Sequence, residues 1–305
     1  MKAHHYQGPE DLYRAQAALM AWVRQCGHCN YLHKGDVGHR LFNGCYQYDP
    51  ADVMRYWLDD SGEVCAFAVL DLPWDAFDLQ VSPALRLSGE HAEIFKYCER
   101  ETRRLAARND KRLEKIVVEV DDCDPAYIAF VEARGFSLSE TGFALTRHDL
   151  KNLPDAPLPA GFRFHQATAP DAAQLADVHN HSFSGKWNAE SYGKVFRAPH
   201  MEYEFVVVAP DGRFAAFTNV WIDEVNRSLL FEPVGTHADF RRRGLGKALM
   251  AHVLGRMRAE RGIECAFVCH APPSKNPASA ALYASVGFQQ VHEIHDYSKS
   301  LTEPG

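Results

Sequence analysis

The sequence predicts an α/β protein of the α+β type, with two tandem domains that each contain a mixed, mainly antiparallel sheet flanked by helices. Three observations support this fold class: the length, a proline-rich segment in the middle and an internal repeat. The chain has 305 residues, which typically make about two domains, and 46% of them are hydrophobic. Residues 153–161 contain three prolines and a glycine, which suit neither helix nor strand. We therefore expect domains at residues 1–152 and 162–305, joined by the linker 153–161.

An internal repeat relates the two halves. Asp124-Pro125-Ala126 corresponds to Asn276-Pro277-Ala278, and Gly135-Phe136 corresponds to Gly287-Phe288; both pairs of positions differ by 152. Around each landmark the order is a β-rich run, a short helix, Gly-Phe and a closing strand. Each half is therefore expected to form one α/β domain.

The second half shows the order of elements most clearly, because alternating and helical hydrophobic patterns follow one another along the chain. Strands are predicted at residues 162–167, 204–209, 213–223 and 227–234, helices at 172–181 and 189–196, followed by a long helix, a strand, a helix and a strand. An antiparallel meander thus precedes βα units, as in a mixed sheet flanked by helices.

Composition and charge argue against several classes of protein. The formal net charge is −7 with the 16 histidines counted as neutral, so a basic face for nucleic acid is not expected. The N-terminus lacks a basic stretch followed by an apolar run, and no 18 apolar residues occur together. We therefore expect a soluble, cytoplasmic protein that binds neither nucleic acid nor a membrane.

The eight cysteines are expected to be reduced and mostly buried. Several stand inside apolar runs, such as Cys65 and Cys265, where a thiol behaves as a small hydrophobic side chain. Cys26 and Cys29 have the C-x-x-C spacing of a zinc ligand pair, but a second pair with comparable spacing is missing. Buried thiols are favoured over a metal site, and neither a metal nor a disulfide framework is predicted.

A glycine-containing loop before a long helix is the strongest chemical signal in the chain. The loop reads Arg241-Arg242-Arg243-Gly244-Leu245-Gly246, and apolar residues recur every four positions behind it, as on the buried face of a helix. Glycines let backbone N–H groups approach an anion, and a helix N-terminus adds about half a positive charge. The loop therefore predicts a pyrophosphate site, although R-x-x-G-x-G alone also fits a helix N-terminus with solvated arginines.

A second motif lies downstream of the loop. Asn276 stands at a predicted helix start, and Tyr283 follows two helical turns later on the same face. These two side chains are therefore expected to address one cleft.

Together the motifs resemble those of the GNAT superfamily of N-acetyltransferases, which combine a Q/R-x-x-G-x-G/A loop with an N-x-x-(S/A)-x-x-L-Y-x-x-x-G-F helix. Arg241 to Gly246 and Asn276 to Phe288 match these motifs in the family's order and spacing. The repeat extends a weaker resemblance to the first half, giving two tandem GNAT-like domains in an arrangement similar to that of the mycothiol synthase family. The resemblance implies acetyl-CoA as the acyl donor, no metal, and a small-molecule amine as the acceptor.

The resemblance also implies roles for individual residues. The backbone of Val234, Gly235 and Thr236 would pair with the pantetheine arm like an added β-strand. Asn276 would hydrogen-bond the pantetheine or the strand side of the cleft, and Tyr283 would face the sulfur. The pyrophosphate would be held by the loop and the start of the helix: Arg241, Arg242, Arg243, Gly244, Leu245, Gly246 and Lys247.

The expected reaction is direct attack of the amine on the thioester. Reference pKa values near 10 for a phenol and 8.5 for a thiol make proton transfer to the leaving thiolate uphill by about 2 kcal/mol, so Tyr283 is expected to act as a hydrogen-bond donor or general acid. Glu232, on the strand beside the expected thioester, is the favoured general base, and His237 is the alternative. A nucleophilic Cys269 is the less favoured interpretation.

The first half departs from both motifs. At the repeat offset, Val131 stands in place of Tyr283 and Asp124 in place of Asn276. The stretch 81–91, which corresponds to the loop, contains one glycine, a proline and a glutamate where a phosphate favours cations. The first half is therefore expected to be a non-catalytic, structural or substrate-shaping domain.

Two other functions remain open at this stage. One is a non-catalytic acyl-CoA sensor, against which Tyr283 argues. The other is a peptidyl-type transferase that uses aminoacyl-tRNA, which the net charge of −7 and the intact loop disfavour. The sequence does not identify the acceptor, and it fits a monomer and a homodimer equally. Four aromatic residues either line the acceptor pocket or belong to the core: Trp187, Tyr192, Phe196 and Trp221.

Overall fold

A computed structural model describes residues 1–199 and 202–301, and the chain divides into two compact units. The N-terminal unit comprises Met1–Phe143 and the C-terminal segment that begins at His292, whereas the second unit comprises Ala144–Val291. Both units contain helices packed on a sheet, so the predicted fold class is confirmed. Within the described residues, no helix is long and apolar enough to cross a membrane.

The N-terminal unit packs two long helices on its sheet. Its strands are β1 (Ala3–His5), β2 (Met54–Leu58), β3 (Val64–Asp71), β4 (Ala76–Val81) and β5 (Lys115–Asp121), and its helices are α1 (Pro9–Cys26), α2 (Lys34–His39), α3 (Pro50–Val53), α4 (Gly89–Arg108) and α5 (Pro125–Glu132). All eight residues of β3 are buried, and both α1 and α4 pack on this strand. Strands β1 to β5 follow one another in the sheet, with β4 and β5 parallel and the other pairs antiparallel.

Next along the chain, strand β6 (Ser137–His148) leads into the second unit. The remaining strands are β7 (Arg163–Gln166), β8 (Tyr203–Val208), β9 (Phe214–Asp223), β10 (Ser228–Thr236), β11 (Cys265–His270) and β12 (Gln289–Ser300), and the helices are α6 (Ala172–Phe183), α7 (Ala189–Arg197), α8 (Leu245–Arg261) and α9 (Pro277–Val286). Strands β7, β8, β9 and β10 form the antiparallel meander, and β11 joins β10 in parallel. Residues 153–161 form neither helix nor strand.

The N-terminal unit is not continuous in the sequence, because it takes its last strand from the C-terminal part of the chain. In the second unit, residues 144–148 of β6 pair antiparallel with β11. In the N-terminal unit, residues 294–300 of β12 pair antiparallel with β5. The predicted domains, 1–152 and 162–305, are the two halves of the chain on either side of the proline-rich segment. The structural units instead group the strands that pair with one another. Strand periodicity identifies a strand but does not identify the edge that it will join.

Helix α8 carries the hydrophobic stripe that the sequence predicts. Leu245, Leu249, Val253 and Met257 are at most 1% exposed, and they belong to the core formed with the sheet of the second unit. Burial of each such side chain contributes about 2 kcal/mol. The stripe fixes the orientation of α8, so its N-terminal turn is held at a defined place beside the end of β10.

Candidate active site

A gap between two parallel strands is the central feature of the second unit. In the described part of the chain, the β10–β11 pairing runs only from Ser228↔Cys265 to Leu230↔Phe267. Strand β10 continues to Thr236 and remains paired with β9, but its register shifts between Phe231 and Val234. This bulge turns the end of β10 away from β11, and the backbone edge of residues 234–236 faces the gap.

Close packing explains the glycine at the end of β10. A Cβ atom built on Gly235 would overlap the Phe217 ring and would lie 2.8 Å from Ser182 Oγ of α6. Beside it, Thr236 Oγ1 lies 3.5 Å from the position of a Cβ on Gly246. The structure therefore brings the predicted pantetheine-facing residues of β10 against the first turn of α8.

The loop before α8 has the backbone geometry of an anion site. Gly244 adopts φ 77°, a left-handed conformation that favours glycine, and Arg242 adopts φ 61°. The first intrahelical backbone bond runs from the amide of Ala248 to the carbonyl of Gly244, 3.0 Å. The preceding amides, including those of Leu245 and Gly246, project from the helix N-terminus, where they can bind an anion.

Two of the three arginine side chains have partners within the protein. The Arg241 guanidinium donates to the carbonyls of Ser182 (3.0 Å) and His181 (3.3 Å) at the end of α6 and to that of Thr236 (3.3 Å). The Arg243 guanidinium lies 5.5 Å from the centre of the Phe240 ring. Arg241 thus ties α6 to the loop, and the backbone amides are the groups best placed to hold a phosphate.

Helix α9 brings the second motif to the same gap. The Asn276 side chain caps the helix by accepting from the amide of Ser279, 3.2 Å, and Gly287 ends it with φ 113°. Leu282 packs on α8, since its methyl groups lie 3.4 and 3.5 Å from the position of a Cβ on Gly246. Asn276 and Gly287 thus define the start and the end of α9, and the orientation of this helix sets the direction in which Tyr283 projects.

Tyr283 is buried between α9 and the ends of β10 and β11. Its ring centre lies 5.2 Å from that of His270 and 6.2 Å from that of Phe288. Burial raises the pKa of the phenol, and the nearby Glu232 and Cys269 raise it further. The structure therefore brings Tyr283 and Glu232 together and keeps the phenol protonated.

His237 lies in a different environment. Its Nδ1 accepts the amide of Asp239 (3.1 Å), and its ring stacks on that of His181 at 4.2 Å. Burial lowers its pKa, and the charge of His181 lowers it further. Ligand atoms of Asp177, His181 and His237 lie within 4.8 Å of one another. The hydrogen bond that Nδ1 accepts places the proton of the neutral His237 ring on Nε2, which lies 3.7 Å from Asp177 Oδ2.

A buried polar group on the α6–α7 face was not predicted. The Tyr192 hydroxyl donates to Glu204 Oε1 at 2.7 Å, and Glu204 stands opposite Asn219 across β8 and β9. Desolvation by burial raises the pKa of Glu204 from 4.5 to about 8. The signal was present in the sequence, because Glu204 interrupts an otherwise apolar strand. Of the four predicted acceptor aromatics, Trp187, Tyr192 and Phe196 form one cluster here.

The corresponding loop of the N-terminal unit has its polar groups engaged within the protein. The amide of Leu87 donates to His91 Nδ1 at 3.1 Å, and Arg86 pairs with Asp124. Arg86 also lies 4.7 Å from the centre of the Tyr127 ring. Groups that would bind a phosphate are therefore occupied by this unit's own side chains.

The structure contradicts one expectation about the cysteines. Cys29 and Cys123 form a disulfide, whereas free thiols without a disulfide were predicted. The two positions are 94 residues apart, and spacing along the chain carries no signal of such a pair. The other six cysteines are free, namely Cys26, Cys45, Cys65, Cys98, Cys265 and Cys269.

Comparisons with known proteins agree with this geometry. The sequence model of the Acetyltransferase (GNAT) family matches residues 172–288, and comparison with curated proteins gave no match. A GCN5-related N-acetyltransferase from Sphaerobacter thermophilus has a TM-score of 0.64 at 16% identity, over 100% of this chain and 96% of that chain. A tandem GNAT protein from the clavulanic acid biosynthesis pathway has a TM-score of 0.66 at 17% identity, over 100% and 99%. An acetyltransferase from the GNAT family of Colwellia psychrerythraea has a TM-score of 0.61 at 13% identity, over 98% and 100%.

The structural likeness, at these identities, concerns the fold, and the family match falls on the unit that contains the strand gap, the loop and Tyr283. Residues 172–288 therefore belong to the GNAT family of acetyltransferases, and the chain has the fold of the tandem GNAT proteins.

Proposed function

We propose that the second unit transfers an acetyl group from acetyl-CoA to the amine of a small molecule by direct attack. The strand gap supports this proposal most strongly, because β10 leaves β11 where a pantetheine arm would add as a strand and α8 begins where a pyrophosphate would follow. The arm would pair with Val234, Gly235 and Thr236, and the amides of residues 241–247 would hold the pyrophosphate.

Tyr283 and Glu232 are the proposed catalytic pair. In this scheme Glu232 accepts the proton of the acceptor ammonium, directly or through a water, and the free amine attacks the thioester carbon. The tetrahedral intermediate then expels the thiolate, the Tyr283 phenol donates a hydrogen bond to the sulfur, and the surplus proton on the attacking nitrogen passes to the thiolate or to water. The phenol suits this role because its raised pKa keeps the proton in place at neutral pH. No enzyme-bound acyl intermediate is required, so Cys269 has no nucleophilic part.

The acceptor is proposed to enter from the α6–α7 face. Trp187 and Tyr192 lie there with ring centres 5.5 Å apart, over a sheet face that includes Phe217. Aromatic walls of this kind suit the apolar body of a small amine. The net charge of −7 does not favour a polyanionic partner such as tRNA.

Calorimetric titration with acetyl-CoA tests the cofactor site. Wild-type protein is expected to bind one equivalent, and the double variant Gly244→Glu, Gly246→Glu is expected to lose binding, because two carboxylates fill the loop and repel phosphate. The matched control is Gly8→Glu, Gly89→Glu, which adds the same charge at positions where a Cβ meets nothing within 4 Å. Folded wild-type protein that binds no acetyl-CoA would contradict the proposal.

A second experiment distinguishes a transferase from an acyl-CoA sensor. It measures release of the CoA thiol from acetyl-CoA in the presence of each member of a panel of primary amines. A transferase is expected to release thiol in proportion to amine with at least one member of the panel. Binding of acetyl-CoA without any amine-dependent release would support the alternative, a non-catalytic acyl-CoA sensor.

A further inference from the structure

The N-terminal unit contains a counterpart of the strand gap, and a segment of its own chain lies across it. Strands β4 and β5 are parallel and pair at Ala76↔Val117. The connection between α1 and α2 reaches the far ends of both strands. We call residues 29–32 the closing segment.

At the end of β5, the closing segment makes a reciprocal pair of hydrogen bonds. The amide of Asn30 donates to Asp121 Oδ2 at 2.6 Å, and the amide of Asp121 donates to Asn30 Oδ1 at 2.8 Å. Asn30 adopts φ 56°, in a tight turn closed by the bond from the Tyr31 amide to the His28 carbonyl, 3.0 Å. Asparagine tolerates this left-handed conformation better than most residues, so the turn suits the sequence.

At the end of β4, two further bonds complete the closure. The Tyr31 hydroxyl donates to the Val81 carbonyl at 3.0 Å, and the Leu32 amide donates to Gln80 Oε1 at 3.2 Å. Arg86 lies 5.6 Å from the centre of the Tyr31 ring. Tyr31 is buried at the end of this strand.

The disulfide attaches the closing segment covalently to the turn after β5. Cys29 is the first residue of the segment, and Cys123 follows the end of β5 by two positions. Cys123 is exposed and Cys29 is half-buried, so a small dithiol can reach the bond. Once that bond is broken, the hydrogen bonds and the packing of Tyr31 and Leu32 remain to hold the segment in place.

We propose that the closing segment shuts the strand gap of the N-terminal unit and that the Cys29–Cys123 disulfide is a redox-sensitive lock on this closure. In the oxidised chain, the second unit then provides the one acyl-CoA site. A dithiol such as dithiothreitol supplies two electrons and two protons, the S–S bond breaks to give two cysteine thiols, and the dithiol becomes a cyclic disulfide. The closing segment is then free to leave the gap.

Amide hydrogen exchange measured by mass spectrometry on the full chain tests the lock. Reduction is expected to speed exchange of peptides covering residues 28–33 at least tenfold, with little change in β3 or α8. The Cys29→Ser, Cys123→Ser double variant is expected to match the reduced wild type without dithiol. Cys26→Ser is the control, because Cys26 is a free, exposed cysteine three residues before Cys29 and should leave the oxidised pattern unchanged.

Two further measurements complete the test. Denatured oxidised protein is expected to show six reactive thiols, and reduced protein eight. Calorimetry of the oxidised protein is expected to give one equivalent of acetyl-CoA. The proposal is overturned by eight thiols in protein kept without reductant, by exchange at residues 28–33 that does not change on reduction, or by a second equivalent of acetyl-CoA in the oxidised chain. Faster exchange throughout β3 would also overturn it, because the disulfide would then stabilise the whole unit rather than lock one segment.

Discussion

A phenol can assist a leaving thiolate only while it keeps its proton, and the surroundings of Tyr283 ensure that it does. Burial disfavours the phenolate, and the negative charge of Glu232 disfavours it further, so the pKa of Tyr283 rises above its usual value of 10. The neutral hydroxyl therefore remains a donor, and it is buried, where a hydrogen bond to developing charge is stronger than in water.

Replacement of Tyr283 by phenylalanine removes this donor and keeps the ring packing. We expect kcat to fall about 100-fold, while the affinity for acetyl-CoA changes little. Steady-state thiol release and calorimetry on the same preparation measure the two effects. Because the wild-type pKa is raised, activity should not decline up to about pH 10 through loss of this proton. Equal kcat values for the two proteins would remove Tyr283 from the mechanism.

Close packing requires a glycine at position 235, on the part of β10 that is proposed to pair with the pantetheine arm. The Gly235→Ala variant places a methyl group against the Phe217 ring and 2.8 Å from Ser182 Oγ. Overpacking of this kind typically costs about 1–3 kcal/mol. Urea unfolding measures the loss, and Gly89→Ala is the control, since a Cβ there has open space. Equal urea midpoints for the two variants would show that Phe217 and Ser182 make room for the methyl group without loss of stability.

At single positions, the sequence identified residues that cap or begin a helix, because local backbone geometry determines them. It missed residues whose role depends on contacts with distant parts of the chain. The Gly244 turn and the Asn276 cap follow from local geometry, so their motif predicted the start of both helices. The partners of Arg241 on α6 lie about 60 residues away in sequence and left no local pattern. The burial of Glu204 likewise depends on α7, a separate element.

At the scale of elements, α7 and β8 enclose a carboxyl group that makes the stability of the second unit depend on pH. The pKa of Glu204 is about 8 in the folded chain against an ordinary 4.5. Below pH 4.5 both states are protonated and no difference arises. As the pH rises towards 8, the unfolded chain loses the proton and the folded chain keeps it, so folding becomes less favourable; above pH 8 the loss is complete.

The Glu204→Gln variant should therefore gain stability relative to wild type as the pH rises. The amide keeps an acceptor for the Tyr192 hydroxyl, and the gain is expected to reach on the order of 3 kcal/mol at pH 9 and to vanish near pH 4. Urea unfolding at several pH values measures it. Glu190→Gln, at a side chain that is 79% exposed on α7, is the control. A gain that does not depend on pH would show that the carboxyl is already ionised in the folded state.

Most elements of the second unit were predicted to within a few residues, because each has its own hydrophobic period. The helix predicted at 172–181 spans Ala172–Phe183, and the strand predicted at 213–223 spans Phe214–Asp223. The register of β10 could not be predicted from the sequence, because the bulge between Phe231 and Val234 depends on pairing with β9. The strand gap at the centre of the site follows from that register, so the sequence indicated the motifs around the gap but not the gap itself.

At the scale of the whole molecule, each sheet is completed by a strand that chain order assigns to the other half of the sequence. Strand β5 is paired by residues 294–300 of β12, and Tyr297 of that strand belongs to the core of the N-terminal unit. Strand β11 is paired by residues 144–148 of β6. Division of the chain at the proline-rich segment therefore separates β5 from β12 and β11 from β6.

Fragments that follow chain order should for this reason fold poorly. Fragment 1–152 lacks the seven residues that pair with β5, which leaves that strand with an open edge and the core without Tyr297. An exposed strand edge favours association with other chains, so we expect aggregation and no cooperative thermal transition by circular dichroism. Fusing residues 289–301 to the end of residues 1–143 through a short flexible linker should restore a cooperative transition, whereas the same residues in scrambled order should not. If fragment 1–152 alone unfolds cooperatively at the midpoint of the full chain, β12 is dispensable for the N-terminal unit, and chain order rather than strand pairing defines its boundary.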